Sequence, residues 1–209
     1  MAIIVAPLNL SLGDQCKISQ RRYDTVTRSE VTGAAQARIY GFPRWKMTLI
    51  CNEILTLDEG ALWESIILKL RGGINHLQVF DYFKQLPLGT FRDPCTVKNS
   101  VAAGVSTIVL AGGAGNANKT LAQGDWVQLG SSLGAQQLVK VVDPASANGS
   151  GDITINIEPP TRIAFSAGAS VTLQRATTFY KAVSTPEWEY NYGGQAQQGF
   201  ALDLLEQWS

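Results

Sequence analysis

Gly151-Asp-Ile-Thr-Ile-Asn-Ile-Glu-Pro-Pro-Thr-Arg162 alternates apolar and polar residues and then stops on two prolines. Alternation at period two predicts a strand with Ile153, Ile155 and Ile157 on one face. Proline has no N–H to give to a ladder, so Pro159 and Pro160 end the pairing. The expectation is a strand that closes a small β-barrel, with the isoleucines inside. Arg162 then covers the barrel end or pairs with Glu158, a surface pair contributing at most about 1 kcal/mol.

The surrounding sequence has the same texture. From 93 to 175 the chain is rich in Gly, Ala, Ser and Asn. Short β-like runs stand at Ser106 to Leu110, Trp126 to Leu129, Gln137 to Val142, Ile153 to Ile157 and Ser170 to Leu173. Turn material separates them at Gly112 to Asn116, Gly130 to Gly134 and Ala147 to Gly151. Short strands in such close succession predict a closed or partly open barrel.

On either side the elements are longer. Ile3 onward predicts a first strand, without the basic start of a signal peptide. Residues 16–27 predict a second. Ala37 to Leu55 predicts two more around a turn at Gly41-Phe42-Pro43, with Trp45, Met47, Leu49 and Cys51 on one face. Thr56-Leu-Asp-Glu59 matches a capping box, and Ala61, Leu62, Ile66 and Leu70 follow at helical spacing until Gly72-Gly73. Strands are expected again at His76 to Tyr82, Phe179 to Val183 and Glu187 to Tyr192. Phe200 to Trp208 fits a strand or a short helix. The order is therefore outer segment, barrel, outer segment, with seams at Phe91 to Pro94 and Gln174 to Thr177. An exposed loop of a host domain accepts such an insertion.

Composition narrows the function. The chain has 209 residues, 45% hydrophobic and only 16% charged, with zero formal net charge. That size holds a large domain or two small ones. A low charge density leaves much uncharged surface for contacts, as in a subunit of an assembly. Nothing in the balance steers it to nucleic acid or to an anionic membrane. No stretch approaches the roughly 18 apolar residues of a membrane span. Cys16, Cys51 and Cys95 are odd in number and dispersed, which points to buried thiols in a reducing compartment.

Catalytic chemistry has few carriers. His76 is the only histidine, and a strand-edge or surface position is expected for it. One His, dispersed Cys and isolated acids form no metal set. Gly112 to Thr120 has neither P-loop spacing nor a dinucleotide fingerprint. Asp58 and Glu59 complement a helix dipole. Trp45, Trp63, Trp126, Trp188 and Trp208 are expected as core and interface anchors. No catalytic, cofactor-binding or metal residue is assigned. For a barrel that binds carbohydrate or nucleic acid, Trp126 beside Lys140 is the candidate pair.

The run Gly124-Asp-Trp-Val-Gln-Leu-Gly130, then Gln137 to Asp143, then Ile153 to Arg162, resembles a module of tail-tip proteins of long-tailed bacteriophages. Arg44-Trp-Lys-Met-Thr-Leu, a helix, and Leu77 to Tyr82 extend the resemblance to the distal tail proteins over nearly the whole chain. The resemblance implies a mainly β fold. Residues 1–92 and 176–209 would form a discontinuous, ring-forming β-sandwich with one helix, and 93–175 an inserted OB-like barrel. It implies a structural virion protein without enzymatic activity or cofactor, in a homo-oligomeric, hexameric ring at the distal end of the tail. Its partners would be the tail tube protein and the hub or tip protein, with no membrane and no nucleic acid. It would be assembled in the host cytoplasm and located in the virion. The alternative is a carbohydrate- or nucleic-acid-binding module acting through the barrel.

Overall fold

The computed structural model describes residues 1–10, 12, 16–51, 56–184 and 201–208. The strands are β1 (Ile3–Val5), β2 (Lys17–Arg28), β3 (Ala35–Ile50), β4 (His76–Phe80), β5 (Cys95–Val97), β6 (Thr107–Ala111), β7 (Thr120–Leu121), β8 (Trp126–Leu129), β9 (Gln137–Val141), β10 (Ala145–Ser146), β11 (Asp152–Glu158), β12 (Ser170–Thr172), β13 (Thr177–Ala182) and β14 (Ala201–Glu206). The helix α1 spans Leu57–Leu70. The fold is mainly β with one α-helix among the described residues and a closed barrel, as the sequence predicts.

Two compact units divide the chain. The first holds Met1–Asn9, His76–Tyr180 and Trp208–Ser209; the second holds Leu10–Asn75 and Lys181–Gln207.

In the first unit six strands close in the order β11-β6-β5-β12-β8-β9. All six come from Cys95 to Thr172. Five match the expected runs. The sixth, β5, is a three-residue strand that the sequence reading missed, and it is needed for closure because it joins β6 to β12. On β11 the side chains of Ile153, Ile155 and Ile157 are buried while Thr154 and Asn156 are exposed. They meet Ile108, Leu110, Val127, Leu129, Val139, Val141 and Val171 in one apolar core. At about 25 cal/mol per Å² of apolar surface, burying each of these side chains contributes roughly 1.5–3 kcal/mol. Outside the barrel, β4 lies between parallel β1 and antiparallel β13.

The two prolines end β11 as expected, and a side chain takes over the ladder's work. The amide of Gln137, 3% exposed, donates from Nε2 to the carbonyl of Pro160 (2.8 Å) and accepts through Oε1 from the N–H of Arg162 (2.6 Å). Thr161, fully buried, donates to the carbonyl of Ala102 and accepts from the N–H of Val105. Arg162 does cover this end: it donates to the carbonyl of Gly134 (2.7 Å) and stacks on the Trp208 ring at 4.6 Å.

In the second unit β3 pairs with β2 on one side and β14 on the other. The last segment is therefore a strand, not a helix, over Ala201–Glu206. Trp45, Met47, Leu49 and Cys51 share the buried face, as alternation predicts. The turn expected at Gly41-Phe42-Pro43 is absent. β3 runs straight through it, and register shifts at Arg21/Tyr23 and Tyr23/Asp24 absorb the glycine and proline. A bulge tolerates both residues, which is why the local signal is ambiguous. The real turn lies between Arg28 and Ala35, where Ser29 and Ala34 are hydrogen-bonded and Gly33 takes φ 67. The expected strand at Glu187 to Tyr192, with Trp188, lies outside the described residues.

Helix α1 starts where the sequence places it. Glu59 N donates to Thr56 Oγ1 (3.3 Å), and Thr56 N donates to Glu59 Oε2 (2.8 Å). Trp63, Ile66 and Leu70 bury the inner face. The left-handed C-cap is Arg71 rather than a glycine, and Gly72 and Gly73 follow with positive φ. Replacing Thr56 by Ala removes the cap and is expected to cost about 1 kcal/mol. Urea denaturation of the two proteins checks it; equal midpoints would mean that the cap adds nothing.

Candidate functional site

The antiparallel register of β8 and β9 sets Trp126 opposite Lys140, so both side chains lie on one face. Lys140 Nζ sits 4.1 Å from the centre of the Trp126 ring. The indole Nε1 donates to Asp81 Oδ2 at 3.0 Å. Burial lowers the Lys140 pKa, the nearby Lys84 ammonium lowers it further, and Asp81 partly opposes both.

The sequence thus names the right pair, and the fold brings it together. Trp126 is only 4% exposed, however, with Lys140 over its face. A ring so covered offers no stacking platform for a sugar or a base. The expectation of Trp126 as a core anchor holds, and this pair does not offer the exposed aromatic that the alternative binding reading needs.

Behind this pair lies a hub that sequence reasoning missed. The side chain of Asp125 is fully buried. It accepts from the N–H groups of Leu88 (2.7 Å), Gly89 (3.1 Å) and Ala122 (2.8 Å). Lys84 Nζ lies 3.5 Å from it and donates to the carbonyl of Gly124 (2.7 Å). One carboxylate thereby ties residues 84–89 to the turn before β8. Gly89 is required there, because a Cβ would collide with the backbone of Thr120 and Leu121.

The Gly112 to Asn118 turn, unassigned by sequence, has the same structural character. Asn116 is buried, donates to the carbonyls of Arg92 (2.7 Å) and Gly112 (3.0 Å), and accepts from the N–H of Arg92 (2.9 Å). A Cβ on Gly112 would strike Phe91, which is itself fully buried. The turn is held by packing and by the Asn116 amide.

The two seams meet. Asp93 accepts from the N–H of Leu173 (3.0 Å) and of Gln174 (3.0 Å). Arg175 donates through its backbone N–H to the carbonyl of Gln85 (2.6 Å) and through Nε to Gln85 Oε1 (3.2 Å). Gln85, Leu86, Asp93, Gln174 and Arg175 line an open cleft of about 580 Å³. The thiol facing Asp93 is Cys95, 3.8 Å from Oδ1. Burial, then the adjacent carboxylate, push its pKa up to about 12. A thiol held protonated is a poor nucleophile.

His76 is the first residue of β4 and is wholly buried, so the expected surface position is corrected. β4 is covered on both faces, with His76, Leu77, Val79 and Phe80 all buried, which the Gly-Gly turn before it does not reveal. Among the described residues no group of three or more His, Cys, Asp or Glu side chains is placed to hold a metal. No described helix is long and apolar enough to cross a membrane. No family model matches the chain, and no curated protein matches it by sequence.

Asp125→Ala leaves three backbone donors without their acceptor, at about 1–3 kcal/mol for each buried one. A loss of about 3 kcal/mol or more in unfolding free energy is expected, with Asp125→Asn falling between. A loss below 1 kcal/mol would show that the hub is not structural. Cys95 supplies a pH test. Its folded pKa of about 12 exceeds the ordinary thiol value of 9.0. The unfolded chain therefore loses this proton first, and the stability that the thiol contributes is present below pH 9 and lost as pH rises from 9 toward 12. Denaturation midpoints of wild type and Cys95→Ala across that range should converge as pH rises.

Proposed function

We propose that this chain is a structural subunit of a bacteriophage tail, a ring protein at the distal end that joins the tail tube to the tip or baseplate. One observation carries the reading. The barrel draws every strand from one continuous stretch, Cys95 to Thr172, and the chain enters and leaves it at one point, where Asp93 holds the N–H groups of Leu173 and Gln174. That is the order implied by the resemblance to distal tail proteins: an outer fold with one helix, interrupted by a barrel.

The polar side chains support the same reading. Four buried ones, Asp125, Asn116, Gln137 and Thr161, are engaged with backbone. Their work is to hold loops in place, as a building subunit needs. In the proposed assembly the chain forms a closed homo-oligomer of six copies and docks on the tube protein and on the hub protein.

Light scattering on the purified chain, followed by negative-stain microscopy, tests this. A mass of six chains and ring-shaped particles with a central opening are expected. A monomer at all concentrations would overturn the reading. So would a turnover activity abolished by a single substitution that leaves the fold intact.

A further inference from the structure

Asn148-Gly149 is the one asparagine–glycine pair in the chain. Both residues are exposed, in the turn that leads into β11. Asparagine before glycine carries latent chemistry. The backbone nitrogen of the glycine is within reach of the side-chain amide carbon, and glycine sets no Cβ beside that nitrogen. Whether such a pair reacts depends on what its atoms are bound to.

Here each of them is disposed for reaction. Oδ1 of Asn148 accepts two backbone N–H groups, from Ser150 and from Asp152, both at 2.9 Å. Two fixed donors on a carbonyl oxygen draw charge from its carbon. They also stand where negative charge develops when that carbon is attacked, which is the arrangement of an oxyanion hole. The N–H of Gly149 donates to no acceptor among the described residues, so no bond has to break before its nitrogen acts. Nδ2 of Asn148 donates to none of them either, and it leaves toward solvent. The turn is held by other bonds, Asn148 N–H to the carbonyl of Asp152 (2.8 Å) and Gly151 N–H to the carbonyl of Asn148 (3.0 Å).

Other asparagines lack this combination. Asn116, buried, gives Nδ2 to the carbonyls of Arg92 and Gly112. Asn75 gives it to the carbonyl of Lys69, and Asn156 to Asp143. Asn99 and Asn118 are exposed, but Ser100 and Lys119 follow them.

We propose that Asn148 is a self-modification site, at which the folded chain deamidates. Hydroxide takes the N–H proton of Gly149, and the nitrogen bonds to Cγ of Asn148. The Cγ–Nδ2 bond breaks, and Nδ2 leaves as ammonia with a proton from water. A water molecule then opens the cyclic imide at one of its two carbonyls, leaving aspartate or isoaspartate. The α-aspartate keeps the same two N–H donors, now on a carboxylate, and such charge-assisted bonds are the stronger kind. The change takes the formal net charge of the chain from zero to −1. It does not depend on the assembly proposed above.

Peptide mass spectrometry on the full-length protein tests it. The chain is held in mildly alkaline heavy-oxygen water and digested with trypsin. The peptide 141–162 contains Asn148 and Asn156, so fragment ions assign the change. Asn148 is expected to gain the mass of an amide exchanged for an acid, with one heavy oxygen, while Asn156, Asn99 and Asn118 stay intact. The folded chain is expected to convert at least as fast as the guanidinium-unfolded chain, which lacks both donors. Gly149→Ala is expected to slow conversion severalfold. Gly149 has no positive φ and open space where a Cβ would stand, so the variant should keep the wild-type unfolding midpoint. An intact Asn148 in the folded chain overturns the proposal. Faster conversion in guanidinium also overturns it, because the turn then protects the residue. Equal conversion at Asn99 or Asn118, or an unchanged rate in Gly149→Ala, shows that the geometry selects nothing and overturns it as well.

Discussion

Closure of the barrel is the constraint on which the first unit depends. Six short strands, of three to seven residues, each pair on two sides, so no backbone edge is left open among them. Strands so short cannot be held by ladder bonds alone. They are held because one side chain in two points into a shared apolar core. Closure also dictates the loops. Every hairpin must reverse within a few residues, and the glycines with positive φ stand at those reversals: Gly104, Gly113, Gly124, Gly130, Gly134, Gly151 and Gly168. The Gly-rich texture of the sequence is a consequence of the barrel's size. A larger barrel would tolerate longer and less constrained turns.

Buried polar groups complete what closure begins. Where a strand ends on proline, the ladder loses donors, and Gln137 and Thr161 meet the carbonyls and N–H groups left over. Where a loop must lie against the barrel, Asp125 collects three N–H groups and Asn116 takes two carbonyls and an N–H. Each of these side chains replaces a missing backbone partner, and a donor or acceptor left buried and unmet would cost about 1–3 kcal/mol. Polar residues that look available for chemistry are, in this unit, consumed by architecture.

The parts legible in the sequence are those fixed locally. The Ile153, Ile155, Ile157 alternation gives β11, and the Thr56/Glu59 box gives the start of α1, because each is settled within a few residues. The errors have the opposite cause. Cys95–Val97 is too short for periodicity to register. Gly41-Phe42-Pro43 carries turn chemistry, but a bulge uses the same residues, and only the partner strand decides between them. The burial of His76 and the role of Asp125 depend on contacts distant in sequence. Trp126 and Lys140 mark an intermediate case. Their chemistry is visible as residue types, and their adjacency follows from register, yet the covering of the indole is a tertiary fact.

The second unit follows the other course. Its β3 strand is 16 residues long, more than twice any barrel strand, and only its second half has a core beneath it. Two register shifts mark the passage from the buried half to the exposed half. One face of the outer ribbon carries Asp24, Val26, Arg28, Ala35, Ala37 and Ile39, and the other Thr25, Thr27, Gln36 and Arg38. The barrel leaves no backbone edge open, whereas the outer ribbon of β2 and β3 leaves both of its faces to solvent.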